Sequence, residues 1–470
     1  MPIQIFNSLS RQKEVFQPLI PNRVLFYACG PTVYGKFHIG NARTFVNTDV
    51  IRRWFMQRGY DVRFVMNITD VDDKIIKKAN EEGVSSEEIA KRYTDYFLSM
   101  LGRLGNLPAT LNPKATEHIP QMIAMIETLV SRGHAYATPD GSVWFEVSTF
   151  RDYGRLSRMP LDEMRQGERV DAEQQKLKRS PLDFALWKGA KEGEPSWPSP
   201  WGNGRPGWHI ECSCMSMESL NAQTIDIHTG GTDLKFPHHE NEIAQSECAT
   251  GKPFARYWMH LGMLDVEGIK MSKSLGNVKH IDDVMDVIDP LVLRYFLISA
   301  RYRDKIDYTE NSIHQCRSAI DRIITAEKSA KRAITGELAD DWNSDAELSA
   351  AWEEFAAGMD DDFNTPRALA EIAKIVTLLN TRIANDSDAL SISRAAALLH
   401  KMRGALGLQG DVQHKNADGP SDAEIEGFIE QRAQAKRDRN FTLADQIRKD
   451  LLEKGIQLED SRTGTIWKRI

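Results

Sequence analysis

The chain has 470 residues, 60 basic and 67 acidic, for a formal charge of −7, and 41% of it is hydrophobic. That length implies two to four domains, and the apolar share is enough for folded cores, which excludes a largely disordered chain. The mild acidity excludes indiscriminate coating of nucleic acid, which needs a basic surface, but leaves room for a nucleic-acid partner met by local basic patches. No stretch approaches the roughly 20 apolar residues of a membrane-spanning helix. Met1 to Gln17 lacks a signal peptide's apolar block. Cys29, Cys212, Cys214, Cys248 and Cys316 are too few and too scattered for a disulfide framework. A reducing cytoplasm is therefore expected, with thiols available as ligands or nucleophiles.

Val24 to Cys29 reads as a buried parallel strand ending in a Gly-Pro loop. A helix from about Gly40 to Arg58 follows, with Val46, Val50 and Trp54 on one face and Gly59 as stop. Asp61 to Thr69 gives a second strand, ending in the acidic turn Asp70 to Asp73; Ser85 to Glu88 then caps a helix whose inner face is Ile89, Tyr93 and Phe97. This alternation predicts a Rossmann-like, doubly wound parallel α/β sheet, with its first half in residues 1–112 and ligand chemistry at the strands' carboxyl ends. Residues 113–205 read as an insertion: a helix from Glu117 to Ser131, a hairpin from Ala135 to Val147, and a polar Pro/Gly/Trp-rich stretch from Pro181 to Pro206. The second half of the sheet domain, 206–311, carries a strand from Thr224 to His228, a helix from Pro237 to Thr250, a strand from Tyr257 to Gly262 and a helix from Leu291 to Tyr302. Residues 312–408 predict an all-α bundle, 409–421 a linker, and 422–470 a small domain with a helical hairpin and a β-like end. Between Gln431 and Ile470 there are ten Arg/Lys and six Asp/Glu, so the tail is locally basic.

The loop after the first strand runs Cys29-Gly30-Pro31-Thr32-Val33-Tyr34-Gly35-Lys36-Phe37-His38-Ile39-Gly40-Asn41. Glycines admit a close anion, and the helix start that follows aims its N–H groups at it. His38 can donate to a triphosphate under attack; by itself the run is equally an ordinary strand-to-helix turn. Downstream, Lys270-Met271-Ser272-Lys273-Ser274 is a flexible cationic loop suited to pyrophosphate, or a solvated surface loop. A third group is Cys29, Cys212 in Gly207-Trp208-His209-Ile210-Glu211-Cys212, and His238 with Glu242 in Pro237-His238-His239-Glu240-Asn241-Glu242. His238 and Glu242 are four apart and share a helix face that starts at Pro237. Two thiols, an imidazole and a carboxylate fit a tetrahedral zinc site. They fit scattered buried cysteines and a surface His-His-Glu run as well, and the wide spacing matches no local zinc finger. A covalent role for Cys212, with His209 as partner, is a further reading.

Together the histidine motif and the Lys-Met-Ser-Lys-Ser loop resemble the two hallmarks of class I aminoacyl-tRNA synthetases. With the Cys/Cys/His/Glu set, Asp226-Ile227-His228 and the His-His-Glu-Asn-Glu helix, the whole chain resembles the cysteinyl-tRNA synthetases. The resemblance implies one zinc ion held by Cys29, Cys212, His238 and Glu242 inside the amino-acid pocket, with Cys214 and His239 as decoys. It implies Thr69, Trp208, His228 and Asp233 around the substrate cysteine. His38, Lys270 and Lys273 become the catalytic residues, and Gly35, His38, Gly40, Asn41, Lys270, Ser272 and Lys273 the ATP contacts, with Mg²⁺ accompanying ATP. Asn41 stands where the class signature has a second histidine.

The implied reaction joins L-cysteine to tRNA(Cys) through a cysteinyl-adenylate, with little covalent work for side chains beyond positioning and charge stabilisation. Apolar or hydrogen-bonding contacts separate such near-isosteres only about 10–200-fold. Zinc prefers a soft thiolate to a hard hydroxyl, which would distinguish cysteine from serine without an editing domain. The bundle, marked by Asp362-Phe363-Asn364-Thr365-Pro366-Arg367-Ala368-Leu369, would bind the anticodon end, and Lys436, Arg437, Arg439 and Trp467 in the tail would meet phosphates and bases. A monomer without membrane attachment is expected. Two other readings are a ligase that passes activated cysteine to an amino sugar, and a non-catalytic zinc-stabilised RNA-binding protein. The roughly 150 C-terminal residues, about a further domain's worth, weigh against the first, and the lysine loop weighs against the second.

Overall fold

Arg23–Ala28 forms the centre of a four-stranded sheet in the computed structural model, which describes residues 1–160, 164, 176–271, 275–334, 336–411, 420, 422–454, 456–461 and 464–469. Across the sheet the order is Ala255–Leu261, Ile225–Gly231, Arg23–Ala28, Asp61–Met66, and every pairing is parallel. Three of the strands are almost wholly buried, as expected of a sheet covered by helices on both faces, while the edge strand Asp61–Met66 exposes Asp61 and Arg63. From Arg23–Ala28 the chain moves to one side through the helix Ile39–Gln57, and fills the other side only after the insertion. The two strands flanking this reversal, Arg23–Ala28 and Ile225–Gly231, bound the crevice where such sheets bind ligands.

The helix Ile39–Gln57 buries Val46, Val50 and Trp54 completely, as its periodicity predicts. Ser85 accepts from the Glu88 amide and caps the helix Ser86–Arg103, with Ile89 and Phe97 in the core. The acidic turn is shorter than expected. Asp72 caps a helix, Asp73–Glu82, whose buried Ile75, Ile76 and Ala79 escape a reading dominated by its charges.

Within the insertion, Ile119–Ser131 packs on a four-stranded antiparallel sheet, Ala135–Ala137, Val143–Phe145, Phe184–Gly189 and Gly204–Pro206. The Pro/Gly/Trp-rich stretch therefore contributes two strands. Asp183, just before Phe184–Gly189, ties that strand to the preceding hairpin, accepting from the Tyr136 hydroxyl (2.8 Å) and the Val147 amide (3.0 Å).

In the second half, Phe236 is extended (φ −138°, ψ 135°), so helical backbone restarts at Pro237 and runs into Glu240–Thr250. The helix expected from Leu291 to Tyr302 occupies Pro290–Leu297. Arg294 in it is buried and donates to the carbonyls of Leu104 (3.0 Å) and Leu406 (3.0 Å) and to Asp49 (2.5 Å). It thereby ties the sheet domain to the last helix of the bundle.

Glu310–Ala333, Ala346–Asp360, Thr365–Ala384 and Ala389–Leu406 make up that bundle, and their apolar faces share one core with the sheet domain. Most of the expected linker, residues 412–419 and 421, lies outside the described residues. Beyond it, Asp422–Arg437 and Phe441–Glu453 pack on the hairpin Ile456–Ser461/Gly464–Arg469 around Ile425, Ile447, Leu451, Ile456 and Leu458. In this unit Trp467 donates its indole N–H to Glu426 (2.9 Å) and Lys436 pairs with Asp460 (3.0 Å). No helix among the described residues is long and apolar enough to cross a membrane.

Candidate active site and metal centre

Cys29 directly follows the strand Arg23–Ala28 and Cys212 sits in the first turns of Trp208–Leu220, yet their sulfurs are 3.9 Å apart across 183 residues of sequence. Glu242 Oε1 lies 3.7 Å from Cys29 Sγ and 3.1 Å from His238 Nε2. One ligand atom from each of Cys29, Cys212, His238 and Glu242 lies within 4.8 Å of all the others, and all four residues are buried. A second set, Cys29, His228, His239 and Glu242, meets the same criterion and shares two members with the first. His239 Nε2 is 3.4 Å from Cys29 Sγ, so the residue expected to be a decoy also borders the site. Cys214 packs instead with Ile210, Met215, Ala244 and Cys248, where burial pushes its thiol up to about 12.

Around these atoms lies a shell of imidazoles. His228 Nε2 donates to Glu242 Oε2 at 2.8 Å, while its ring stacks on Trp258 with centroids 4.4 Å apart. His209 and His238 share a hydrogen bond between their Nδ1 atoms (2.8 Å), His239 Nδ1 bonds His260 Nε2 (2.9 Å), and Trp208 stacks on His238 at 4.0 Å. Burial and the neighbouring Cys212 sulfur push the Cys29 thiol well up, burial raises the Glu242 carboxyl, and burial lowers His228 to about 3. The Cys29 thiol and Glu242 carboxyl, which resist ionisation, beside His228, His239 and His260, whose charged forms burial disfavours, suit a divalent cation, which stabilises thiolate and carboxylate and binds imidazole in its neutral form. The donor set fits zinc.

At the other end of the crevice His38 caps Ile39–Gln57. Its Nδ1 accepts from the Asn41 amide and Asn41 Oδ1 accepts from the His38 amide, both at 3.3 Å. Asn41 thus completes a reciprocal cap at the position where the class signature has a histidine. A Cβ on Gly40 would lie 2.9 Å from Met271 Cε, the end of a flexible side chain, and 3.0 Å from His38 Nδ1, so a larger residue there would press on both motifs. Gly35 has open space around it. Lys270 ends the short strand Ile269–Lys270, and its carbonyl accepts from Asn277 at 3.2 Å. The Ile39 amide donates to the Lys279 carbonyl and the Ile281 amide to the Phe37 carbonyl, both at 3.0 Å, which brings the two motifs side by side. Ser272 and Lys273 lie outside the described residues.

Of the residues expected around the amino acid, Thr69 is buried and bonded to Glu211, His228 is buried behind Glu242, Trp208 covers His238, and Asp233 is exposed in the turn after Ile225–Gly231. Sequence reading passes over Asn67, Glu211 and His260. Glu211 stands beside Cys212 in a quoted motif, but nothing in its type announces a buried carboxyl, and the contacts of Asn67 and His260 come from distant segments.

A family model for the class I (C) tRNA synthetase catalytic domain matches residues 15–318, and one for the DALR domain matches 354–409. The chain is 48% identical to a protein of Symbiobacterium thermophilum named cysteine–tRNA ligase, over all of both chains. It is 48% identical to a protein of the same name from Francisella tularensis subsp. novicida, over 99% of each. In fold it is similar to Mycobacterium tuberculosis methionyl-tRNA synthetase in complex with methionyl-adenylate, with a TM-score of 0.60 and 17% identity over 81% of this chain and 91% of that one. Agrobacterium radiobacter K84 LeuRS, in a ternary complex with tRNA and LeuAMS, gives 0.61 and 12% over 83% and 84%. A catalytic-domain match across more than half the sequence, joined to near-half identity along its whole length, shows that this chain belongs to the cysteine–tRNA ligase family of class I tRNA synthetases and is an enzyme.

Proposed function

We propose that the enzyme activates L-cysteine with ATP as cysteinyl-adenylate and transfers it to the 3′ end of tRNA(Cys), with zinc in the amino-acid pocket. The observation that carries this reading is the convergence of Cys29, Cys212, His238 and Glu242 within 4.8 Å at the crevice that the histidine motif also borders. When bound there, zinc supplies a soft Lewis-acidic position that a thiolate fills far better than an alcohol. Cys29, Cys212, His238 and Glu242 would hold it, while His228 orients Glu242 and His209 orients His238.

His38 donates toward the ATP phosphates at the helix start, and Lys270 and Lys273 neutralise the pyrophosphate side; Mg²⁺ travels with ATP. The cysteine carboxylate attacks the α-phosphorus, pyrophosphate leaves, and a terminal ribose hydroxyl then takes the aminoacyl group. The bundle and the C-terminal unit bind tRNA. Within that unit, the internal bonds of Trp467, Lys436 and Arg437 favour Arg439 over them as an RNA contact. Coverage of the relatives over their full lengths supports the tRNA ligase over an amino-sugar ligase.

Cysteine-dependent exchange of pyrophosphate into ATP, followed by charging of tRNA(Cys), tests the two steps in turn. Exchange without charging would favour the amino-sugar reading; neither activity would overturn the proposal. Cys212→Ser should weaken zinc and cysteine binding together and spare ATP binding, and unaltered cysteine affinity would remove the metal from the pocket.

A further inference from the structure

His38 and His280 stand opposite each other in an antiparallel bridge, which joins the run before Ile39–Gln57 to the exit of the lysine loop. The two bonds that make it, from the Ile39 amide to the Lys279 carbonyl and from the Ile281 amide to the Phe37 carbonyl, lie on either side of the histidines. The histidines are therefore a non-hydrogen-bonded pair, in which Cα atoms approach to about 4.5 Å and side chains leave on the same face. Both backbones have the extended geometry this requires, His38 at φ −102°, ψ 167° and His280 at φ −70°, ψ 147°.

The surroundings of each ring fix where its proton sits. His38 Nδ1 accepts from the Asn41 amide, so the proton of the neutral ring is on Nε2. His280 stands at the start of the helix Ile281–Val287, yet its side chain does not cap it. Its Nδ1 is enclosed and meets no partner among the described residues. An enclosed N–H without an acceptor is worse tolerated than an enclosed lone pair, which puts this proton on Nε2 as well. The ring as a whole is only partly buried, and Nε2 is not among its enclosed atoms. Two neighbouring imidazoles thus each present an N–H, and no lone pair, at the outer ring nitrogen. Paired donors of this kind suit a group with several anionic oxygens. Asp282, two residues on, does not compete for them, because Lys36 and the Tyr96 hydroxyl (3.0 Å) already engage it.

We infer that His280 is a further phosphate-contacting residue, whose Nε2–H joins that of His38 on the triphosphate of ATP. This rests on the role of His38 proposed above. A donor carried on the exit of the lysine loop adds affinity for phosphate without touching base or ribose, so it favours the nucleoside triphosphate over the bare nucleoside.

The test titrates wild type and variants calorimetrically with ATP and Mg²⁺, and with adenosine, which keeps base and ribose but has no phosphate. Side-chain amides identify the nitrogen that acts: Gln carries its NH₂ out to about the place of Nε2, whereas Asn reaches only as far as Nδ1. His280→Ala and His280→Asn should raise the Kd for ATP about 10- to 100-fold, the loss of a hydrogen bond to a charged group, and leave that for adenosine within about twofold. His280→Gln should bind both within about twofold of wild type. An unchanged Kd for ATP in His280→Asn, or parallel weakening of ATP and adenosine, would overturn the inference. The comparison of His280→Gln with His280→Asn decides if His280→Ala fails to fold. A wild type that binds ATP no more tightly than adenosine would instead overturn the phosphate site proposed above at His38.

Discussion

The amide of Ile39 donates to the carbonyl of Lys279 at 3.0 Å, so the start of the helix Ile39–Gln57 is bolted to the exit of the lysine loop. Met271, at the loop's entrance, fills the space over Gly40 beside the His38 ring. The two motifs thus form one packed unit, and displacing either should disturb the other. Gly40→Ala places a methyl 2.9 Å from Met271 Cε and 3.0 Å from His38 Nδ1. It should raise the KM for ATP and slow pyrophosphate exchange by about tenfold or more, since small misplacements of reacting groups are costly. An unchanged KM for ATP would separate the two motifs functionally.

The overlapping donor sets differ in which histidine binds. With Cys29, Cys212, His238 and Glu242 as ligands, His238→Asn should release zinc, measured as metal retained after dialysis against a chelator. His239→Asn should keep about one zinc per chain, weakened about 10- to 100-fold at most as for an outer partner. The opposite result would assign the metal to the set containing His228 and His239. Cys214→Ala should leave zinc untouched, because Cys214 belongs to the neighbouring apolar cluster.

How much of this could be read beforehand follows from the range of each interaction. The strand before Cys29, the helix after His38 and the Ser85 cap were legible because their signals lie within a few residues. Phe184–Gly189 was not: it is buried on nearly every residue, so no alternation marks it, and the surrounding Pro and Gly residues speak for a loop. The Cys/Cys/His/Glu set became readable through family resemblance, its 183-residue gap carrying no local pattern. The bond between Thr69 and Glu211 had no signal at all, since it joins side chains 142 residues apart.

Arg294 braces two parts of the molecule with a buried charge. It bonds Asp49 on one side and the Leu406 carbonyl, at the end of the bundle's last helix, on the other. Arg294→Leu leaves Asp49, only 4% exposed, with Arg53 and the Leu107 amide but without Arg294, and two carbonyls without their donor. Loss of these buried bonds should cost about 1–3 kcal/mol, readable as a lower denaturation midpoint. Should tRNA charging fall more than pyrophosphate exchange at a temperature where the variant is folded, the brace also aligns bundle and active site.

In the C-terminal unit Asp460 receives two parallel bonds from Arg432, at 2.7 and 2.8 Å, and a third from Lys436 at 3.0 Å. The hydrogen bonds from Arg432, then those from Lys436 and Thr465, hold its carboxyl well below the usual carboxylate range. A carboxyl lowered in the folded state stabilises it in full above the unfolded pKa of about 3.9, and loses that contribution as acid titrates it through the lower folded value. The pair should therefore be intact at neutral pH and fail only in strong acid. Asp460 is half exposed, so water screens part of the attraction, while Arg432 is buried and would be left without a carboxylate. Asp460→Asn should thus destabilise the unit by about 1 kcal/mol at pH 7. Thermal denaturation of wild type and variant across pH checks this: the two curves should run apart from neutrality down to about pH 4 and converge below it. A gap that persists unchanged into strong acid would show that the charge on Asp460 contributes nothing.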